Sequence, residues 1–385
     1  MTTRPLVLRP ASRTLADRPS LELLGRADPF LLVATLLLIG YGLVMTYSSS
    51  AEAGGGAVGD PWSSVARAAV FAALGLTLMF AVAFLDHSWL GQVAPLIYLV
   101  TLALLAVVLV TGETVLGGQR WVTVAGQKLQ VSEFAKVLMI VVLARWFADR
   151  RDNVGSPLVL AGAAALIAPA VYLVYRQPDL GTSLVFVALF FGMAFMAGAR
   201  LWQLTALVAA GVASFPLVWS LLRDYQRARL VAFLDPQADP QGTGWNILQS
   251  LIAVGSGQAT GKGLTAGTQS PLGYLPIADS DFVFAGLAED LGFLGAVLLF
   301  ALYLVLLLAA LRIAYRARDA FGSLFASGVV AMLGFQIAVN VGMAISLMPV
   351  TGIPLPFISH GGSSLLSICL ALGVLQSIAM RRDPG

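Results

Sequence analysis

The sequence predicts an all-α polytopic membrane protein, with about ten transmembrane helices and a long, partly helical extracytoplasmic loop between the seventh and eighth of them. Three observations lead to this fold class. Of the 385 residues, 58% are hydrophobic and only 11% are charged. The mean hydropathy of +0.86 lies far above the range of soluble globular proteins. Apolar runs recur at the length of roughly 17 to 25 residues that crosses about 30 Å of hydrocarbon.

Ten such runs, some slightly under that length, cover most of the chain. They lie near 30–49, 64–85, 90–111, 132–148, 157–175, 181–198, 201–222, 284–314, 321–346 and 361–380. These runs predict a single ten-helix transmembrane domain over residues 28–380, with tails at 1–27 and 381–385. The segment 223–282 is too long for a simple connection and is expected to form the large loop.

The lysines and arginines between the runs predict the orientation, because basic loops stay in the cytoplasm. If the arginine-rich N-terminal tail is inside, most of the 23 basic residues fall on that side, including Arg145, Arg150, Arg151, Arg200, Arg312, Arg316, Arg318, Arg381 and Arg382. Both termini are therefore expected in the cytoplasm. The net charge of +3 comes from scattered loop residues, so the expected partners include membrane lipids but no nucleic acid.

The sequence argues against a cleaved signal peptide, a disulfide, a thiolate or zinc metal site, and a P-loop. The polar N-terminal tail does not resemble a cleaved signal peptide, so the first run is expected to stay in the protein. The single cysteine, Cys369, excludes an internal disulfide and a thiolate metal cluster. The two histidines, His87 and His360, fall on opposite faces of the membrane, so no zinc site is expected. The sequence around Lys262 lacks the earlier glycine and the following hydroxyl residue of a P-loop.

The large loop contains two patterned segments. WNILQSLIAV places apolar residues at helical spacing and predicts a short amphipathic helix at the membrane surface, which either covers the outer face or lines a substrate site. GSGQATGKGLTAGTQS is dense in glycine, which suits either a flexible spacer or a close approach of the backbone to a ligand. The residues leave both pairs of alternatives open.

A cluster of carboxylates ends the loop and begins the eighth run, with no lysine or arginine among them. Its members are Asp279, Asp281, Glu289 and Asp290. Asp281 is expected near the outer N-terminus of a helix, where it either caps the helix or performs chemistry. Glu289 and Asp290 lie two to three turns further on, where an ionised carboxylate needs a partner or an aqueous cavity.

Other outer segments supply polar groups. Glu133 and Lys136 lie three residues apart in VSEFAKVLM, and either form a local ion pair or turn Lys136 toward the carboxylates of the eighth run. RQPDLGTS and MPVTGIPLPFISHGGSS contain Pro and Gly breaks of the kind tolerated in a membrane only where the backbone lines protein or water. These elements converge on the outer face of the membrane and predict a polar cavity there.

Such a cavity suits an amphiphilic substrate whose polar head reacts outside while its tail remains in lipid. A carboxylate at the rim can act as general base toward a sugar hydroxyl, and direct attack on an anomeric carbon inverts its configuration. Cations offset the charge that develops on a pyrophosphate leaving group. The candidate cations are Arg120, Arg227, Arg229 and Lys262.

Six parts of the chain carry recognisable motifs. They are YGLVMTYSSS, QRWV followed by SEFAK, QPDLGTS, the run that begins YQRARLVAFLDP, GTQSPLGYLPIADSDFVFAGLAEDLG, and NVGMAISLMPVTGIPLPFISHGGSS. These motifs resemble the SEDS family, the RodA, FtsW and SpoVE proteins of bacterial wall synthesis. The resemblance extends from Phe30 to Ile378 and keeps the family order. GTQS and the lack of a division-type N-terminal extension look more like the RodA branch.

The resemblance implies a glycosyltransferase that polymerises lipid II into glycan strands on the outer face of the bacterial cytoplasmic membrane, for cell-wall elongation and shape. It implies a class B penicillin-binding protein as partner and an undecaprenyl-linked nascent glycan as second substrate. Asp281, here in SDF, matches the family's essential aspartate and is expected to activate the acceptor's 4-hydroxyl. The expected supporting residues are Glu133, Lys136, Arg120, Asp179, Arg227, Arg229, Lys262, Asp279, Glu289, Ser359 and His360.

Some features of the chain leave alternatives open. It departs from the family at Gly273, Ile277, Asp279 and His360, where the family often has Glu, Glu, His and Tyr. Asp279 and Asp281 together suit weak binding of Mg²⁺ or Mn²⁺, so a divalent cation is a hypothesis. A lipid II flippase is a second function, which favours ionisable groups near the bilayer midplane. A non-catalytic scaffold is a third, and it would tolerate the loss of the Asp281 carboxylate.

Overall fold

The computed structural model describes residues 25–53, 61–115, 118–124, 126–238, 242–269 and 281–382, most of them helical. In chain order the helices are α1 (Pro29–Ala53), α2 (Pro61–Phe84), α3 (His87–Gln92), α4 (Ala94–Thr111), α5 (Val131–Ala148), α6 (Pro157–Arg176), α7 (Leu180–Ala197), α8 (Leu201–Ala213), α9 (Phe215–Leu221), α10 (Asp224–Leu234), α11 (Thr243–Ser256), α12 (Val283–Arg316), α13 (Ala320–Ala344) and α14 (Gly362–Met380). Short 3-10 turns span Arg151–Asn153 and Pro236–Ala238.

Eight of the described helices are long and apolar enough to cross a membrane, namely α1, α2, α4, α6, α7, α12, α13 and α14. The predicted all-α polytopic class is therefore confirmed. The fourth predicted run corresponds to α5, which carries Glu133, Lys136 and Arg145 within its 18 residues. The seventh run divides at Ser214 into α8 and the shorter α9. The division of the chain into two tails and one domain stays a prediction.

α5 lies at the centre of the bundle, where it packs against α4, α6, α7, α13 and α14. We call the end of the bundle that holds the first turn of α5 the outer end, following the predicted orientation. Glu133 and Lys136 lie at this end, and each is 1% exposed. Because neighbouring helices enclose these charges, α5 can carry them without exposing them to lipid.

A small antiparallel sheet, which the sequence did not indicate, connects α4 to α5 at the outer end. It contains β1 (Glu113–Val115), β2 (Gly118–Val124) and β3 (Gln127–Gln130), in the order β1-β2-β3. β3 ends one residue before α5 begins, so the sheet is continuous with the outer end of that helix. Strands of three to seven residues are too short for their alternation to give a clear sequence signal.

The opposite, inner end of the bundle is closed by contacts among α1, α2, α12 and α14. Asp28, which is fully buried, accepts a hydrogen bond from Arg312 Nη2 at 2.5 Å. The backbone N of Asp28 donates to Gln376 Oε1 at 2.9 Å. Arg381 Nη2 donates to the carbonyl of Phe84 at 2.7 Å. The ends of α1, α2, α12 and α14 that the charge pattern assigns to the cytoplasm therefore lie together, and their compartment stays a prediction.

α12 is broken near its outer end at Gly292, which has a φ of +63°. A break in a membrane helix leaves backbone groups without partners in their own helix. The glycine-rich segment 257–263 of the large loop supplies these partners. Two of its N–H groups donate to carbonyls just before the break, and two of its carbonyls accept from N–H groups just after it, at 2.9 to 3.0 Å.

Glycines in this segment allow the loop backbone to touch the helix backbone. A Cβ on Gly257 would lie 1.8 Å from the carbonyl oxygen of Ala288, and one on Gly261 would lie 2.1 Å from that of Asp290. Gly261 also has a φ of +79°, which L side chains rarely adopt. Of the two alternatives for the glycine-rich segment, the structure shows a close approach of the backbone, made to the protein's own broken helix.

This contact gives a test of the fold. We expect Gly261→Ala to lower the free energy of unfolding by about 1 to 3 kcal/mol, because the new Cβ overlaps the α12 backbone and the φ is unfavourable. Thermal unfolding of the purified protein in detergent measures the effect. Gly255→Ala is the matched control, since a Cβ there meets nothing within 4 Å. Equal unfolding temperatures for the two variants would contradict the prediction.

Candidate active site

Asp281 lies at the outer end, two residues before α12 begins, and its side chain is half-buried. Its backbone carbonyl accepts a hydrogen bond from Asn340 Nδ2 at 3.1 Å, and the same amide donates to the carbonyl of Ile353 at 2.7 Å. A Cβ on Gly352 would lie 3.4 Å from Asp281 Oδ2. The carboxylate therefore lies against the Pro/Gly segment that connects α13 to α14.

The residue at which α12 begins decides whether Asp281 can cap this helix. The helix begins at Val283, and Phe282 occupies the N-cap position without a side-chain cap hydrogen bond. Asp281 precedes that position by one residue. A capping residue has to place its side-chain oxygen on the first free N–H groups of the helix, and Asp281 does not occupy the capping position of α12.

The two deeper carboxylates of α12 hold the large loop. Glu289, which is 1% exposed, accepts from Lys262 Nζ at 2.6 Å and from the backbone N of Thr268 at 2.8 Å. Asp290 accepts from Ser48 Oγ at 2.6 Å, and that oxygen in turn accepts from a backbone N–H of the loop at 2.8 Å. The partners that buried carboxylates require are therefore supplied by the loop and by α1.

Glu133 and Lys136 form the local ion pair that was one of the two alternatives. Lys136 Nζ lies 2.8 Å from Glu133 Oε1, while Glu133 Oε2 has no hydrogen-bond partner among the described residues. Lys136 does not contact Glu289 or Asp290. A buried pair of this kind depends on both partners, because removal of one leaves the other charge uncompensated.

Asp179 caps α7 and joins that helix to the sheet. Its Oδ1 accepts from the backbone N of Thr182 at 3.1 Å, and its Oδ2 accepts from Gln130 Nε2 at 3.0 Å. Arg120 Nη1 lies 3.7 Å from Asp179 Oδ1. The backbone N of Gln130 donates to Ser363 Oγ at 2.9 Å. Gln130, which the sequence did not single out, therefore connects the QPDLGTS and HGGSS motifs.

The segment between α13 and α14 also touches the start of α7. A Cβ on Gly181 would lie 2.6 Å from the carbonyl oxygen of Thr351, which precedes the Gly352 that faces Asp281. Gly352 itself has a φ of +76°. The two Pro/Gly breaks and the aspartate therefore meet at one place, as the convergence of outer motifs predicted.

The basic pair of α10 divides between two environments. Arg229 Nη1 lies 3.4 Å from the carbonyl oxygen of Val350, so this side chain reaches the segment that faces Asp281. Arg227 donates instead to the carbonyls of Trp219 and Ser220 at 3.1 and 3.0 Å. Arg229 therefore joins the candidate site, whereas Arg227 holds the end of α9.

Tyr225 reports the electrostatics of this region. Burial raises the pKa of Tyr225, while the positive charges of Arg223, Arg229 and Arg120 act in the opposite direction. Arg120 comes from β2, Arg223 is the N-cap residue of α10, and Arg229 lies in the middle of that helix. Two of the four predicted cations, Arg120 and Arg229, thus lie in one electropositive region around Tyr225.

A cavity of about 260 Å³ opens beside the segment that contains Ser359 and His360. Its walls come from α1, α2 and the start of α14, and Trp121 of β2 lies at its outer side. Most of its lining is apolar. Ser359 Oγ accepts from the backbone N of Leu355 at 2.8 Å, which fixes the turn at the edge of the cavity.

Arg67 lines this cavity and was not among the expected site residues. It lies in α2, is exposed, and makes no hydrogen bond or ion pair with the part of the chain that the structure describes. A charged residue inside an apolar run is costly unless it faces water or a ligand. That cost is the signal by which the sequence could have identified Arg67.

Asp279 lies outside the described residues, as do Gly273 and Ile277. Within the described ranges, no three His, Cys, Asp or Glu side chains come together as a metal site would require. The pairing of Asp279 with Asp281 on a divalent cation stays a prediction.

The comparison of the sequence with known families gives a clear match. The profile described as cell cycle protein, FtsW/RodA/SpoVE, matches residues 29–383. The peptidoglycan glycosyltransferase MrdB of Escherichia coli K12 is 37% identical over 358 residues, which cover 92% of this chain and 94% of that protein. The stage V sporulation protein E of Bacillus subtilis is 37% identical over 355 residues, or 91% of this chain and 96% of that protein.

Solved structures agree with the sequence comparison. The crystal structure of the rod shape determining protein RodA of Thermus thermophilus is 29% identical and covers 93% of this chain and 98% of that one, with a TM-score of 0.69. A chain of a peptidoglycan synthase complex is 32% identical with a TM-score of 0.79, and covers 93% of this chain and 99% of that one. The resemblance of the motifs is confirmed, and the chain belongs to the FtsW/RodA/SpoVE family.

Proposed function

We propose that this protein is a peptidoglycan glycosyltransferase that polymerises lipid II on the outer face of the membrane. The observation that carries the proposal is the position of the Asp281 carboxylate, half-buried against Gly352 where the outer motifs meet. Relatives named peptidoglycan glycosyltransferase, at 37% identity over most of this chain, support it.

Asp281 acts as the general base in this reaction. Its partial burial favours proton acceptance, because a carboxylate that loses part of its hydration becomes a better base. It takes the proton of the acceptor sugar hydroxyl as that oxygen attacks the anomeric carbon of the donor. The bond from this carbon to the pyrophosphate breaks, and the electron pair leaves with the polyprenyl pyrophosphate. A single displacement inverts the anomeric configuration.

The cations divide into those that are engaged and those that face the substrate. Lys262 is held by Glu289, and Arg120 lies beside Asp179. Arg67 has no ionic partner among the described residues and borders a largely apolar cavity. We assign it to a phosphate of the lipid-linked substrate, with the cavity wall against the polyprenyl chain. Arg229 lies near enough to the Asp281 segment to support the leaving group.

The proposed partners follow from the proposed glycosyltransferase activity. A class B penicillin-binding protein that crosslinks the strands is the proposed protein partner, and a similar chain comes from a complex described as coordinating polymerization and crosslinking. Lipid II and the undecaprenyl-linked nascent glycan are the proposed substrates. The protein is a multi-pass membrane protein. We propose that both termini lie in the cytoplasm, since the arginines cluster at the inner end.

A flippase is less well supported by the positions of the charges. Many secondary transporters place their substrate and coupling-ion sites near the midplane of the bilayer, and a flippase of this kind is expected to have ionisable groups there. Here the deep carboxylates Glu289 and Asp290 are tied to Lys262 and Ser48, and Glu133 is tied to Lys136. The polymerisation assay of Asp281→Asn distinguishes a scaffold without activity from the polymerase.

Asp281→Asn removes the base and keeps the size of the side chain. We expect polymerisation to fall by at least about 100-fold, the lower range of a general base's contribution. Fluorescent lipid II is supplied to the purified protein with its cognate transpeptidase, and the glycan is resolved on a gel. Asp224→Asn, at a fully exposed outer carboxylate, is the matched control and should keep its ladder.

The possible results of that assay separate the three functions. Loss of the ladder in Asp281→Asn with partner binding intact supports the polymerase. Equal ladders in wild type and both variants mean that the base lies elsewhere, and Glu289 is tested next. If the wild type makes no ladder, the result supports the flippase or the scaffold instead of the polymerase.

Arg67→Gln tests the lipid phosphate contact. We expect kcat/KM for lipid II to fall roughly tenfold, because a charge-assisted hydrogen bond to phosphate is lost. Arg176→Gln removes the same charge at the outer end of α6, away from the cavity, and should leave kcat/KM within about twofold. A similar loss in both variants would show that only the overall surface charge matters.

A divalent cation is proposed at Asp281, with Asp279 as the second carboxylate. Mg²⁺ or Mn²⁺ is then expected to raise the rate of polymerisation, because it offsets the charge of the pyrophosphate. The rate is measured with EDTA and again after each metal is restored. Undiminished activity in the chelator would remove the proposal.

A further inference from the structure

A second cavity lies at the inner end, far from Asp281. It is a groove of about 420 Å³ between the start of α4, the end of α5 and the middle of α6. Arg145 and Arg150 line its rim, and Tyr98, Leu99 and Leu166 contribute to its walls. We call it the inner groove. None of the family motifs quoted above falls within it.

One of its arginines is held in a fixed position. The guanidinium carbon of Arg150 lies 3.5 Å above the ring centre of Trp146. The ring is fixed in turn, since Trp146 Nε1 donates to the carbonyl of Val159 at 3.1 Å. A Cβ on Gly162 would lie 2.3 Å from the same ring, so α6 packs directly on it. Arg150 can therefore bind an anion with little further loss of conformational freedom.

The second arginine keeps part of its guanidinium free. Arg145 Nε lies 3.0 Å from Asp149 Oδ2, and both side chains are nearly half exposed. This is the one ionic contact of Arg145 in the part of the chain that the structure describes. Its two terminal nitrogens therefore remain available. The groove holds two guanidinium groups and one carboxylate, and its net charge is positive.

The position of the groove places this charge at the rim of the membrane. Arg145 lies one turn before the end of α5, and Tyr98 lies one turn after the start of α4. Leu99, beside Tyr98, is 63% exposed in an otherwise membrane-spanning helix. The groove thus combines a cationic rim at the depth of lipid headgroups with an apolar wall at the depth of acyl chains.

We propose that the inner groove binds one anionic glycerophospholipid. Its phosphate contacts Arg145 and Arg150, and an acyl chain lies along Leu99 and Leu166. A zwitterionic lipid would bring its ammonium group to the same two arginines and bind less well. A free phosphate ion would satisfy the arginines but leave the apolar wall without a ligand. The site is separate from the proposed catalysis, because it contains neither Asp281 nor Arg67.

Native mass spectrometry of the full protein in detergent tests this proposal. Phosphatidylglycerol and phosphatidylcholine of the same chains are titrated, and the bound lipid is counted. We expect phosphatidylglycerol to bind at least tenfold more tightly. The Arg145→Gln/Arg150→Gln double variant is expected to lose roughly tenfold in affinity for phosphatidylglycerol alone. The charge-matched control is Arg151→Gln/Arg316→Gln, at exposed residues outside the groove, and it should keep the preference.

A separate variant covers the case in which the arginine variant folds poorly. Leu99→Glu leaves both arginines in place and puts a carboxylate on the exposed apolar wall, so it is expected to weaken phosphatidylglycerol binding with an unchanged unfolding temperature. Equal binding of the two lipids would overturn the proposal. Equal losses in the groove variant and in the charge-matched control would overturn it as well. Displacement of the lipid by millimolar inorganic phosphate would remove the assigned role of the acyl chain.

Discussion

The requirement that backbone groups in a membrane be paired determines much of this structure. α12 breaks at Gly292, close to the outer end, and the break is tolerated because segment 257–263 supplies hydrogen bonds on both sides of it. That pairing fixes the large loop against the bundle. The loop is then held again by Glu289 and Asp290, which lie just before the break. The turn that carries Asp281 follows the fixed segment and begins the same helix.

Buried charges meet the same requirement as buried backbone groups, because each needs a polar partner in a medium of low polarity. Glu133 with Lys136 and Glu289 with Lys262 place each buried acid beside a base, so that neither charge is isolated in a medium of low polarity. Arg67 stands apart from this pattern, since it is exposed at a cavity and has no such partner among the described residues. These paired charges belong to the framework of the protein, whereas Arg67 is the cation that we propose for a phosphate of the substrate.

The sequence predicted the fold class and the approximate runs, because hydropathy over about twenty residues is a strong signal. It did not predict the sheet, whose strands are short, or the break at Gly292, which lies inside the predicted run 284–314. The sequence identified Asp281 through a motif, but it did not decide whether Lys136 pairs with Glu133 or with the carboxylates of the eighth run. Contacts such as Gly181 with Thr351 join residues far apart in the chain, and no local pattern encodes them. The capping role of Asp179 depends on where α7 begins, which sequence patterns locate poorly.

The inner contact between Asp28, Arg312 and Gln376 has a consequence for biosynthesis. Asp28 directly precedes α1, the first of the described helices, whereas Gln376 belongs to α14, the last of them. The Asp28 carboxylate accepts from the backbone N of Leu31 in its own helix, but its ionic partner Arg312 is made only with α12. A chain that stops before α14 lacks Gln376, whose Oε1 accepts a hydrogen bond from the backbone N of Asp28. Completion of the bundle thus closes the hydrogen bonds at the start of α1, and a product that stops before α14 leaves the backbone N–H and C=O of Asp28 without these side-chain partners.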